Sequence, residues 1–113
     1  YEKAFADMEG ITLMSNPDSR FNANYWLCTI LIDKELTGFD YEELRVTLDT
    51  KGIETRPLWK PMHLQPVFKN NPCYIDGTSE KLFNKGLCIP AGPCVTDEDV
   101  AYIVTEIKNC MKK

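Results

Sequence analysis

Tyr25-Trp26-Leu27-Cys28-Thr29-Ile30-Leu31-Ile32 is the stretch on which the fold of this 113-residue chain turns. It is rich in β-branched and aromatic residues and holds neither glycine nor proline, which reads as a strand. Alternation with period two puts Trp26, Cys28, Ile30 and Ile32 on one face and Tyr25, Leu27, Thr29 and Leu31 on the other. Both faces are largely apolar, so both call for cover. In so short a chain, one of those covers is expected to come from a partner domain.

Outward from that strand, the chain alternates helix and strand signals. Residues 1–9 read as the tail of a helix that ends at Gly10, a residue able to supply a left-handed terminus. Ile11-Thr12-Leu13-Met14 is a short strand, and Ser15-Asn16-Pro17-Asp18-Ser19 is turn chemistry. Asp40 caps a helix in which Glu43 is placed for the reciprocal bond. Tyr41, Leu44 and Leu48 follow at helical spacing, and Gly52 closes the helix. Ile53-Glu54-Thr55-Arg56 is a short strand running into a loop punctuated by Pro57, Pro61, Pro66 and Pro72, which discourage continuous helix. Thr78 or Ser79 starts a helix that Gly86 stops, and Leu87-Cys88-Ile89 is a further core strand. Thr96-Asp97-Glu98-Asp99 caps a last helix whose Val100, Ile103, Val104, Ile107 and Met111 form one apolar stripe. Its acidic start and Lys112-Lys113 at its end suit the macrodipole. The expected fold is α+β: a small three- to four-stranded sheet with helices packed mainly on one face.

Composition narrows the function. With 43% hydrophobic and 27% charged residues, the chain is that of a globular domain. Thirteen Lys plus Arg against 17 Asp plus Glu leave a net charge of -4, which disfavours nucleic acid as a partner. No apolar run approaches the roughly 20 residues of a membrane helix, so no membrane partner is expected. Five cysteines (Cys28, Cys73, Cys88, Cys94, Cys110) are an odd number without CxxC or zinc-ribbon spacing. That usage fits free thiols in the cytoplasm and argues against a disulfide scaffold or a metal site. The chain begins at Tyr1 without an initiator methionine, and the expectation is a piece of something longer.

The residues able to carry chemistry cluster in Glu54-Thr55-Arg56-Pro57-Leu58-Trp59-Lys60-Pro61-Met62-His63-Leu64-Gln65-Pro66. This segment holds the only histidine and one of the two tryptophans. Arg56 offers a planar fork for phosphate or carboxylate, Lys60 a point charge, and Trp59 a flat face for a ring. His63 can exchange a proton near neutral pH. Together they suit an anionic ligand that bears a ring. The same composition also suits a solvated loop with Trp59 and Met62 folded onto the core. The carboxylates Glu42-Glu43 and Asp97-Glu98-Asp99 lie at helix starts, where capping explains them. No HExxH, GxSxG, P-loop or GxGxxG occurs.

The segment Glu54–Phe68 resembles one found in nucleotide-sugar aminotransferases of the DegT/DnrJ type. Asn24-Tyr25-Trp26-Leu27, and Leu87-Cys88-Ile89-Pro90-Ala91-Gly92 followed by Thr96-Asp97-Glu98-Asp99, resemble the family in the same order, from about residue 10 to 110. The form Arg56-Pro57-Leu58-Trp59-Lys60-Pro61-Met62-His63 is similar to the branch that aminates 4-keto-6-deoxy sugars on UDP, on the route to bacillosamine-like diamino sugars of cell-surface polysaccharides. The resemblance implies a bacterial fold-type I transferase using pyridoxal phosphate (PLP), with residues 1–10 the tail of a preceding helix. Residues 11–113 would then be its single C-terminal small domain. It further implies that the Schiff-base lysine and most cofactor contacts belong to an N-terminal large domain absent from this chain, whose own lysines match no such context. On this reading the chain holds no catalytic or cofactor-binding residue, binds no PLP alone, and is inactive alone. By resemblance Arg56, Trp59, Lys60, Met62 and His63 would line part of the substrate pocket in a homodimer, with glutamate as amino donor. Two other readings remain open from the residues alone: a free-standing α+β ligand-binding or regulatory module, and a structural dimerisation piece.

Overall fold

The strand that anchors the fold is shorter than its sequence suggests. In the computed structural model, which describes residues 1–111, it runs Cys28–Ile32 (β2). The three residues before it leave the ladder because Tyr25 takes φ +50°, a left-handed conformation no strand can hold. Asn24 stabilises that turn by accepting the Trp26 backbone N–H at 3.1 Å. Trp26 is therefore 75% exposed rather than packed with Ile30 and Ile32.

Around β2 stand β1 (Ile11–Leu13), β3 (Arg56–Pro57) and β4 (Gly86–Ile89), in the order β1-β2-β4-β3 with every pairing antiparallel. The register places Ile11 opposite Ile32, Ile30 opposite Leu87 and Cys28 opposite Ile89, so the isoleucines share one face with Leu87 and Cys28. Helices α1 (Glu2–Phe5), α3 (Tyr41–Asp49) and α5 (Asp97–Cys110) contribute Phe5, Leu44, Leu48, Ile103, Val104 and Ile107 to the core built on that face. Leu44, Leu48 and Ile107 are fully buried, each gaining about 1.5–3 kcal/mol from removal from water. The second face carries Thr12, Thr29, Leu31, Cys88 and Arg56, with Thr29 opposite Cys88 and Cys88 opposite Arg56. This is the expected α+β layout, with four strands.

Both long helices begin with the expected capping box. Asp40 accepts from the backbone of Glu42 and Glu43 while Glu43 reaches back to the Asp40 N–H at 2.8 Å; Thr96 and Asp99 do the same for α5. Helix α4 spans Thr78–Lys85 and passes directly into β4. Three elements were not expected: helix α2 (Lys34–Thr37) and two 3₁₀ turns, Met62–Leu64 and Pro66–Phe68. The prolines that forbid a long helix are compatible with such single turns. Helix α1 covers only Glu2–Phe5 of the expected 1–9, but Gly10 takes the left-handed φ of +85°. Lys112-Lys113 lie outside the described residues. Among the described residues no helix is long and apolar enough to cross a membrane.

Candidate functional site

Strand β3 is where the chain leaves the core and meets solvent. Arg56 faces out from the second face of the sheet, opposite Cys88, and its guanidinium donates to the Glu54 carboxylate on the same exposed edge. Both partners are well exposed, so the pair costs little to open when an anion competes for the guanidinium. Beyond β3, Leu58 turns inward and Trp59 turns outward, 70% exposed.

Arg56 and Trp59 share a cavity of about 710 Å³, lined also by Pro57, Leu58 and Cys88. Its opposite rim comes from Trp26, Leu27, Pro90 and Ala91, the two other stretches that carry the family resemblance. Tyr1 fixes the Pro90 part of that rim by donating its phenol O–H to the Pro90 carbonyl at 2.9 Å. Burial pushes the Tyr1 phenol up to about 12, so it stays protonated and able to donate. A cavity of this size with two indole rings, an apolar floor and a guanidinium whose exposed Glu54 partner can be displaced suits a ring-bearing anion.

The structure splits the five residues picked from the sequence. Arg56 and Trp59 meet at the large cavity; Lys60 is exposed and lines none of the cavities described. Met62 and His63 line a second hollow of about 300 Å³, shared with Phe68 and Tyr74. Met62 is 59% exposed, so neither it nor Trp59 folds onto the core as a plain surface loop would have it. The His63 side chain is only 13% exposed and points away from solvent, its Nε2–H donating to Glu80 Oε1 on α4 at 2.7 Å. Sequence reasoning missed Glu80 altogether. Nothing local marks it, because its partner lies 17 residues away on another element.

Pyridoxal phosphate requires a lysine amine for its Schiff base and a dense cradle for its phosphate. The large cavity offers one guanidinium and no lysine, while Lys34, Lys51 and Lys85 are engaged by surface carboxylates. The donor set of these residues therefore does not by itself form that cofactor's pocket.

Residues 1–108 match the DegT/DnrJ/EryC1/StrS aminotransferase family. The chain belongs to that family. EpsN of Bacillus subtilis (strain 168), named as a pyridoxal phosphate-dependent aminotransferase, is 31% identical over 108 residues, 92% of this chain and 27% of its own length. GDP-perosamine synthase of Escherichia coli O157:H7 is 35% identical over 83 residues, 74% of this chain and 22% of that enzyme. The fold is shared with DesI, solved in the presence of its TDP-sugar product, at a TM-score of 0.83 and 23% identity over 97% of this chain and 28% of DesI. The DegT/DnrJ-family chain described here thus spans under a third of the length of these relatives.

Proposed function

We propose that this chain is the C-terminal small domain of a longer PLP-dependent aminotransferase acting on a 4-keto-6-deoxy nucleotide sugar, with glutamate as amino donor. The cofactor, when bound, supplies the electron sink for amino transfer, from a large domain outside this chain. The role of this chain is to form one wall of the substrate pocket. The observation that carries the reading is the shared cavity of Arg56 and Trp59. The guanidinium suits a diphosphate, and the indole a nucleobase or sugar ring. Lys60, exposed on the same loop, would add a second positive charge, while Met62 and His63 would serve from the neighbouring hollow. Relatives named as GDP-perosamine synthases, and the DesI structure with its TDP-sugar product, support a nucleotide-linked sugar. Other parts of the proposal, a homodimer with shared sites and a cytoplasmic enzyme serving cell-surface polysaccharide synthesis, rest on the family resemblance.

The test is steady-state kinetics on the full-length protein, following 2-oxoglutarate released from glutamate with 4-keto-6-deoxy nucleotide sugars. Arg56→Ala should raise KM for the sugar about tenfold or more, with KM for glutamate unchanged. Arg56→Lys should restore part of the loss, a point charge replacing the fork. Absence of turnover with every such sugar, or an unchanged sugar KM in Arg56→Ala, would sink the reading.

A further inference from the structure

The loop that presents Trp59, Lys60 and Met62 to solvent is fastened to the α4–β4 unit at both ends. At its entrance, Leu58 fills the space above Gly86, where a Cβ would fall 2.1 Å from Leu58 Cδ1 and 2.8 Å from the Leu82 carbonyl oxygen. No other residue type at Gly86 lets Leu58 lie there. At the far end, the half-buried His63 ring donates to Glu80 Oε1 at 2.7 Å. Between the two ties Pro61 is buried, and just beyond them Gln65 reaches back to brace the turn, donating its side-chain N–H to the Lys60 carbonyl at 3.1 Å. The exposed residues of the loop thus sit on a short span held from behind. Glu80 is the one charged fastener, and it lies on a different element from everything it holds.

We infer that Glu80 is a positioning residue for the ligand-facing loop, acting through His63. This rests on the proposed substrate pocket for its kinetic consequence but not for its structural one. A charge-assisted bond in a partly buried setting is stronger than a solvent-exposed one, and removing its acceptor leaves the ring N–H unpaired. Release of the far end would leave Trp59 and Lys60 held by Leu58, the buried Pro61 and the Gln65 brace alone, so a bound ligand would have to order more of the span itself. The expected signature is weaker sugar binding with little change in turnover once bound.

Two readouts on the full-length protein separate the latch from the pocket. Limited trypsinolysis followed by mass spectrometry reports the loop directly. Cleavage after Lys69 should rise about fivefold or more in Glu80→Ala and stay near the parent level in Glu80→Gln, whose amide oxygen still accepts from the ring. The bond after Lys60 precedes a proline and resists trypsin in every variant. Kinetics then report the consequence: Glu80→Ala should raise the sugar KM about fivefold or more with kcat within about twofold, and Glu80→Gln should recover it. In a His63→Ala background Glu80→Ala should add nothing further, as expected of residues acting as one unit. Parent-like cleavage in Glu80→Ala, or additive effects of the two substitutions, overturns the latch whatever the enzyme's substrate. Raised cleavage without sugar turnover upholds the latch and counts against the proposed substrate instead.

Discussion

At the residue scale, Gly10 carries two constraints at once. Its φ of +85° excludes most side chains, and an added Cβ would stand 2.7 Å from Thr37 Cγ2 and 2.9 Å from Leu36 Cβ on helix α2. Thr37 cannot yield, because it is fully buried and its hydroxyl serves the carbonyls of Asp33 and Phe39, each at 2.9 Å. Gly52 has a similar φ of +72° but open space around it, which makes it the natural control. Gly52→Ala should cost about 1–2 kcal/mol from backbone strain alone. Gly10→Ala should cost roughly 1–3 kcal/mol beyond that, since the clash forces α2 to shift. Urea titration of the two variants measures the difference; equal losses would show that α2 moves freely. Thr37→Val tests the same corner chemically, removing the hydroxyl that serves the buried Phe39 carbonyl for an expected loss of about 1–3 kcal/mol.

At the element scale, the two capping boxes tie helix stability to pH. The Lys34 ammonium beside Asp40 and the backbone N–H of Glu43 hold that carboxyl below the usual aspartate range. The backbone N–H and hydroxyl of Thr96 do the same for Asp99. A carboxyl lowered in the folded state contributes stability that is present above its unfolded pKa of about 4 and lost as pH falls through the lower folded value. Thermal melts should therefore fall in Tm as pH drops below about 4, and Asp40→Asn should flatten part of that decline. A Tm independent of pH across that range would show the boxes contribute nothing. Thr96→Ala should cost about 1 kcal/mol at neutral pH.

These same boxes explain what was legible beforehand. Asp40-x-x-Glu43 and Thr96-x-x-Asp99 state their helix starts in four residues, and the stripe Ile103, Val104, Ile107 states which face is buried. That Arg56 and Trp59 lie together was legible because they are neighbours in the chain, and the structure brings both to one cavity. Helix α2 hides in the four residues Lys34–Thr37, too short for any period, and its Asp33 cap lacks a partner three residues on. The end of the strand at Tyr25 depends on one backbone angle that no composition announces. Glu80 meets the loop only through its contact with His63, made when α4 packs beside that loop, which is tertiary information.

At the scale of the whole molecule, the two faces of the sheet are unequally finished. One is sealed by α1, α3 and α5, whereas the other ends in a rim where both tryptophans stand out, Trp26 at 75% and Trp59 at 70% exposure. Two exposed indoles flanking one cavity are a costly surface for an isolated domain. In the proposed enzyme, where this chain is the small domain, the large domain is the natural cover for the Trp26 side, leaving the cavity as a cleft between the two. Hydroxyl-radical footprinting resolves this residue by residue. Trp26 should oxidise several-fold less in the full-length protein than in the 113-residue chain alone, while Tyr102, half exposed on α5 across the sheet, should react alike in both. Trp59 should be protected further when the nucleotide sugar is added, because its indole faces the cavity that the ligand would fill. Equal oxidation of Trp26 in the two proteins would mean that the rim stays bare, and the cavity would then be an open surface groove that no large domain closes.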